Sequence, residues 1–112
     1  MCIRDSHRGC SGVPNRLPIS YHSGYTADIA HFISVVRERF PGERVGAVGF
    51  SLGANALLKF LGERQESSGL DLAVTVCPPL VLSTCADTMN TGLAKMYQRY
   101  FCLLYTSDAA DE

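Results

Sequence analysis

A serine flanked by glycines lies between two apolar segments in the middle of this chain. The motif G-F-S-L-G at residues 49–53 follows the apolar run 45–48 and precedes the helix-forming run 54–61. A serine in such a motif sits on a very sharp turn, and we expect both glycines to be required because a Cβ there would meet neighbouring backbone. The turn would hold the Ser51 hydroxyl at the positive end of the following helix. The spacing therefore predicts Ser51 as a nucleophile.

The motif leaves two interpretations of this serine open. A strand, a G-x-S-x-G turn and a helix in succession form the nucleophile elbow of α/β-hydrolases. In the alternative, a glycine-rich turn joins the strand to the helix, and Ser51 only caps the helix.

The segment before the motif is predicted to be an amphipathic helix. It begins near Ser23 or Thr26, either of which is a suitable N-cap, and it ends at Pro41-Gly42. Its apolar residues recur every three or four positions and would form one buried stripe. They are Ile29, Phe32, Ile33, Val36 and Phe40.

Two short apolar segments are predicted to be β-strands. Residues 45–50 and 72–77 show little polar alternation, which is typical of strands covered on both faces. Cys77 ends the second segment and is expected to be a small buried side chain. A helix over 54–61 and a polar loop over 63–69 are predicted between the strands.

The order of loop, helix, strand, helix and strand indicates the fold class. Alternation of this kind predicts a parallel sheet with right-handed crossovers. We therefore predict an α/β fold, specifically a partial α/β-hydrolase fold with a nucleophile elbow. Residues 82–101 are predicted to form one or two helices, which either make a lid or pack in the core. Their apolar-aromatic face comprises Leu93, Met96, Tyr97, Tyr100 and Phe101.

The two ends of the chain are expected to be translated adapter DNA rather than native protein. One short DNA sequence, ligated in opposite orientations, can encode both residues 1–6 and residues 102–106, and residues 108–112 look like its continuation. Such segments are excluded from structural reasoning. We therefore expect native sequence over 7–101, as the central part of a single α/β-hydrolase domain.

Charge and cysteine content exclude several function classes. The whole chain has a net charge of −1, the two ends contribute −3, and residues 7–101 therefore carry +2. Without a basic stripe we expect no nucleic-acid partner. Of the five cysteines in the chain, the three within residues 7–101 (Cys10, Cys77 and Cys85) lack C-x-x-C spacing and predict neither a disulfide framework nor a metal site. A cytoplasmic location is expected. No apolar run is long enough to cross a membrane.

A serine nucleophile needs a base, normally a histidine held by a carboxylate. In α/β-hydrolases the chain order is serine, acid, histidine, yet no histidine follows Ser51. His7, His22 and His31 all precede it. We expect His31 to be a packed or surface residue and His22 to fix the loop before the helix.

The oxyanion of an acyl-transfer reaction needs two hydrogen-bond donors. We predict the backbone N–H of Leu52 as one of them and expect the other to come from elsewhere in a longer protein. Asp71 and Asp87 are not assigned as the acid, because neither lies at the carboxyl end of a predicted strand. The chain as written is therefore predicted to be inactive, with no cofactor and no metal.

A series of short motifs along the chain resembles one family. The blocks are Arg8–Gly12 (RGCSG), Pro14–Arg16, Tyr21–Gly24, Gly49–Asn55 (GFSLGAN) and Tyr97–Tyr100. This series resembles the YheT-like family of α/β-hydrolases, related to embryogenesis-associated hydrolases of eukaryotes. The resemblance implies a Ser-Asp-His triad that hydrolyses carboxylic esters of small or lipid-like molecules. Of that triad only the nucleophile has a counterpart here, at Ser51, and Arg8–Gly12 would form the loop after the preceding strand.

Two other functions compete with an esterase or lipase-like hydrolase. A non-catalytic α/β-hydrolase-fold protein could retain the fold for binding. A malonyl-type acyltransferase also uses G-x-S-x-G, although such enzymes typically carry histidine where Phe50 stands. The sequence does not indicate an oligomeric state.

Overall fold

The computed structural model describes Arg8, Arg16, Ile19 and residues 22–108, with side chains up to residue 100. Its elements are α1 (Ala27–Arg39), β1 (Gly46–Phe50), α2 (Leu52–Arg64), a 3-10 helix (Gln65–Ser68), β2 (Leu72–Val76), α3 (Leu82–Met89) and α4 (Gly92–Asp108). The chain divides into two compact units, one ending at Pro78 and the other beginning at Pro79. No helix in the described part of the chain has the length and apolar character needed to cross a bilayer.

The first unit contains a parallel pair of strands joined by a helical crossover. β1 and β2 pair in register, with Gly46 opposite Leu72 and Phe50 opposite Val76. Parallel strands need a long crossover connection, which α2 and the short 3-10 helix provide. The predicted α/β class with parallel strands is confirmed.

The core of this unit forms where α1 and α2 meet beside the sheet. Ile33 of α1 packs with Leu57 and Phe60 of α2, and Phe60 is only 1% exposed. Burial of one such side chain stabilises the fold by about 1.5–3 kcal/mol. The small residues Ala54 and Ala56 are also buried, so α2 lies close to its neighbours.

The prediction that both strands are covered on both faces is wrong. Val48 is 61% and Phe50 66% exposed, and Leu72, Val74 and Val76 of β2 are exposed as well. The residues between them face inward, so exposure alternates along each strand. The reason is that, among the described helices, α2 packs across both strands, and a single helix layer covers one face of the sheet.

Three further details differ from the sequence-based prediction. Residues 63–69, predicted to be a loop, instead contain the end of α2 and the 3-10 helix. Cys77 lies outside β2 and is exposed, so its predicted burial is wrong. Thr26 is the N-cap of α1 by position, but its hydroxyl donates to Glu63 Oε2 at 2.6 Å rather than to the helix.

The second unit consists of two helices. α3 and α4 pack against each other, in agreement with the predicted one or two helices. The large apolar residues of α4 do not face a core among the described residues, because Leu93 is 85% and Met96 72% exposed. Tyr97 and Tyr100 on the same face are also exposed. Core packing by this face is therefore not observed, and the lid stays a prediction.

Candidate functional site

Ser51 lies at the junction between β1 and α2 in an unusual backbone conformation. Its φ of 50° and ψ of −119° are a combination that residues with a Cβ rarely adopt. The Ser51 N–H donates to the Val76 carbonyl at 2.9 Å, and its own carbonyl accepts from the Ala54 and Asn55 N–H groups at 3.0 and 3.1 Å. Three backbone hydrogen bonds therefore hold the turn in place.

The side chain of Ser51 is exposed and does not cap α2. Ser51 is an exposed residue, and its hydroxyl makes no capping hydrogen bond to the first turn of the helix. The capping-serine alternative is not what the structure contains, because a capping hydroxyl would accept from an N–H of that turn. The hydroxyl is thus accessible to a molecule approaching the carboxyl end of β1.

The two glycines of the motif differ in their steric role. A Cβ built on Gly49 would lie 2.8 Å from the Ala54 Cα and 2.8 Å from the Gly53 carbonyl oxygen, which are backbone atoms that cannot move aside. A Cβ on Gly53 meets nothing within 4 Å outside its own helix backbone. The steric requirement expected for both glycines therefore holds at Gly49 and not at Gly53.

Leu52 is the first residue of α2, immediately after the serine. The first N–H groups of a helix have no carbonyl partner within it, and the helix dipole makes that end positive. Partial positive charge therefore lies beside the Ser51 hydroxyl. The role of the Leu52 N–H as an oxyanion donor stays a prediction.

Cys77 occupies the equivalent position at the end of β2. Like Ser51, it follows the last residue of its strand, is exposed and has a φ of 50°. The apolar run 72–77 predicts burial of Cys77, but the strand itself ends one residue earlier, at Val76. Two exposed residues with left-handed backbone thus lie at the same edge of the sheet.

The histidines take the structural places predicted for them. The Gly24 N–H donates to His22 Nδ1 at 3.0 Å, and the Tyr25 N–H donates to the His22 carbonyl at 2.9 Å, so His22 fixes the turn before α1. His31 is exposed on the surface of α1. His7 lies outside the described residues.

At the opposite end of the sheet, Asp71 and Arg37 join three segments of the chain. One Asp71 carboxylate oxygen accepts from the Val45 N–H and from Arg37 Nη2, both at 2.7 Å. Arg37 also donates to the Gly69 carbonyl at 2.8 Å and to the Glu43 carbonyl at 2.7 Å. The Val45 N–H, followed by Arg37, lowers the pKa of Asp71. Asp71 therefore has a structural role, consistent with its not being assigned as the acid.

Arg8 is a residue whose role the sequence did not suggest. Its Nε donates to Asp28 Oδ2 at 2.6 Å and its Nη2 to Asp28 Oδ1, while its guanidinium lies 5.0 Å from the centre of the Tyr25 ring. The hydrogen bonds to Asp28 raise the pKa of Arg8. The first residue of the RGCSG block is thereby attached to the start of α1, whereas residues 9–12 of that block lie outside the described residues.

A groove of about 590 Å³ lies between α1 and β1, away from the serine. Phe32, Phe40 and Val48 are among its lining residues, and Ser51 is not. Among the described residues, no group of three histidine, cysteine, aspartate or glutamate side chains is placed to hold a metal ion. The groove is therefore separate from the turn that holds Ser51.

Comparison with known proteins finds relatives along most of this chain. It is 40% identical over 103 residues to the "Putative esterase YheT" of Escherichia coli, which covers 92% of the chain and 30% of the relative. It is 36% identical over 86 residues to the embryogenesis-associated protein EMB8 of Picea glauca, covering 77% of the chain and 19% of the relative. A monoacylglycerol lipase of Saccharomyces cerevisiae is 33% identical over 84 residues, which are 75% of the chain and 19% of the relative.

The chain thus spans less than a third of the length of these relatives. No family model matches the chain. No solved structure matches it either.

Proposed function

Because this chain is homologous to YheT and EMB8 and shares their α/β-hydrolase family, we propose that it is the central portion of a serine carboxylic-ester hydrolase. Ser51 is the nucleophile, and the turn from β1 to α2 is the nucleophile elbow. The observation that carries the proposal is the backbone at Ser51, where an exposed hydroxyl is held on a conformation that costs about 1–3 kcal/mol. Strained residues of that kind cluster at functional sites, although Gln65 at the end of α2 has a similar backbone, so the position of Ser51 between β1 and α2 carries as much of the argument as the strain.

The proposed reaction proceeds through an acyl-serine intermediate. The Ser51 hydroxyl oxygen attacks the ester carbonyl carbon while a histidine takes its proton, and the carbonyl oxygen becomes an oxyanion. The Leu52 N–H and the positive end of α2 stabilise that charge. The oxyanion then re-forms the carbonyl, the alkoxide leaves as an alcohol with the histidine's proton, and water hydrolyses the acyl-serine. The histidine and its carboxylate partner belong to the longer parent protein, and the reaction needs no cofactor.

The relatives support an ester or a lipid-like molecule as the substrate. One is named a monoacylglycerol lipase and another an esterase. Both names describe hydrolysis of an ester, and attack of a serine on the ester carbonyl would account for either activity. We therefore propose a small or lipid-like carboxylic ester as the substrate of the parent protein.

Replacement of the nucleophile in the full-length parent tests this function. We expect Ser51→Ala to lower kcat for a p-nitrophenyl ester by about four orders of magnitude or more, because the covalent step is lost. It should also abolish labelling by a fluorophosphonate probe. Ser34→Ala changes an exposed serine of α1 and is the matched control, with activity and labelling unchanged. A parent that neither hydrolyses esters nor takes up the probe would instead be a binding protein.

The 112-residue chain itself is expected to show no ester hydrolysis above background. No histidine follows Ser51 in it, so the hydroxyl has no base in the expected order. Hydrolysis by this chain that disappears in Ser51→Ala would contradict the assignment of the base to the rest of the parent.

A further inference from the structure

The two strands end side by side, and each continues into an exposed residue with a positive φ. Phe50 pairs with Val76 as the last residues of β1 and β2. Ser51 and Cys77 follow them, and each has a φ of 50°. The two residues therefore occupy equivalent positions at the carboxyl edge of the sheet.

The pairing continues one residue past the strands. The Ser51 N–H still donates to the Val76 carbonyl at 2.9 Å, so the chain at Ser51 has not separated from β2. Neighbouring strands lie about 4.8 Å apart. Cys77 is thus about one strand spacing from the proposed nucleophile, and it is exposed on the same edge.

Pro78 further restricts the backbone at Cys77. Pro78 and Pro79 come directly after the cysteine, and a residue before proline loses part of its conformational freedom. The backbone that carries the Cys77 side chain therefore has little freedom to move away from the strand end.

We propose that Cys77 forms one wall of the substrate site beside Ser51 and limits the size of the acyl group that the site accepts. This inference rests on the proposed hydrolase function. The small size of the side chain matters here, and its thiol chemistry does not: serine at residue 77 would leave about the same space. In open α/β sheets, ligands bind outside the carboxyl ends of the strands, where both residues lie.

Enlarging this side chain in the full-length parent tests the proposal. We expect Cys77→Phe to lower the ratio of kcat/KM for p-nitrophenyl octanoate to that for p-nitrophenyl acetate by about 10-fold or more, because mismatch in a pocket has effects of that size. Cys77→Ser keeps the volume and should change the ratio by less than about twofold. Leu72→Phe enlarges an exposed residue at the opposite end of β2 and should leave the ratio unchanged. An unchanged ratio in Cys77→Phe would overturn the proposal.

Alkylation of the native thiol gives a second measurement that does not depend on folding of the phenylalanine variant. A bulky maleimide on Cys77 should block fluorophosphonate labelling of Ser51 in the wild type, and Cys77→Ser should still be labelled after the same treatment. Full labelling of a wild type whose Cys77 is shown by mass spectrometry to be alkylated would overturn the proposal. Failure of the hydrolase function itself is recognised separately, as an absence of Ser51-dependent labelling before any thiol is modified.

Discussion

The two ends of the β1–β2 sheet differ in how their polar groups and backbone are arranged. At the amino end, Asp71 and Arg37 satisfy the hydrogen-bonding groups of three segments with bonds of 2.7–2.8 Å. At the carboxyl end, Ser51 and Cys77 are exposed with positive φ, and the Ser51 hydroxyl does not cap the adjacent helix. The difference indicates that one end of the sheet contributes to stability, whereas the other end carries strained backbone of the kind that clusters at functional sites.

Sheet geometry explains why the division falls this way. The crossover from β1 leaves the carboxyl end of that strand and returns through α2, so the helix begins beside Ser51. Its positive end and unpaired first N–H groups are therefore available at that edge alone. The amino end receives the loops entering each strand, and a side-chain network ties those loops together.

The largest expected effect on stability is at Gly49. Gly49→Ala places a Cβ 2.8 Å from backbone atoms of the first turn of α2, and overpacking of this kind costs about 1–3 kcal/mol or more. Gly53→Ala is the matched control: its Cβ has space, and alanine in a helix is favoured by up to about 1 kcal/mol over glycine. Urea unfolding of the full-length parent carrying either substitution measures the change in the free energy of unfolding. Equal destabilisation by the two substitutions would mean that the motif does not have this asymmetry.

A smaller effect is expected from relief of strain at Ser51. Ser51→Gly should raise the free energy of unfolding by about 1 kcal/mol, since glycine adopts this backbone freely but also has greater freedom when unfolded. Ser34→Gly is the control, because glycine inside the regular helix α1 should destabilise by about 0.5–1 kcal/mol. Destabilisation by Ser51→Gly would show that the turn is not strained.

The smallest effect is expected at the amino end, and it depends on pH. The pKa of Asp71 is lowered in the folded protein, so its contribution is present above the ordinary value of 3.8 and is lost as the pH falls through the folded value. Asp71→Asn should therefore lower the urea midpoint at pH 7 and have less effect as the pH approaches 3.

Because Asp71 is solvent-exposed, the decrease in the urea midpoint caused by Asp71→Asn should be modest. Glu38→Gln removes another exposed carboxylate of the same unit and serves as the control, with no comparable shift in the midpoint. A difference between Asp71→Asn and wild type that grows toward low pH would contradict the assigned sign.

Local patterns were sufficient to predict the order of elements and the place of the serine. The spacing of Ile29, Ile33 and Val36 predicted α1, and the motif around Ser51 predicted a turn between a strand and a helix. These features depend on residues within one or two turns of each other. The helix is predictable because its apolar residues recur with helical periodicity, and the turn is predictable because Gly49 has no Cβ.

The features that sequence reasoning missed depend on contacts between distant residues. Arg37 and Asp71 are 34 positions apart, and neither lies in a recognisable motif. An apolar run does not reveal where a strand ends, so the run that includes Cys77 predicts a buried side chain where the structure has an exposed one. The motif likewise does not reveal which glycine meets backbone atoms, because that depends on where the first turn of α2 passes.

The residue that a fluorophosphonate probe modifies in the full-length parent decides whether Ser51 is the nucleophile. We predict a single covalent adduct, located by peptide mass spectrometry on Ser51 and absent from Ser51→Ala. An adduct on a different residue, or ester hydrolysis that continues while Ser51 stays unmodified at full inhibition, would contradict this assignment.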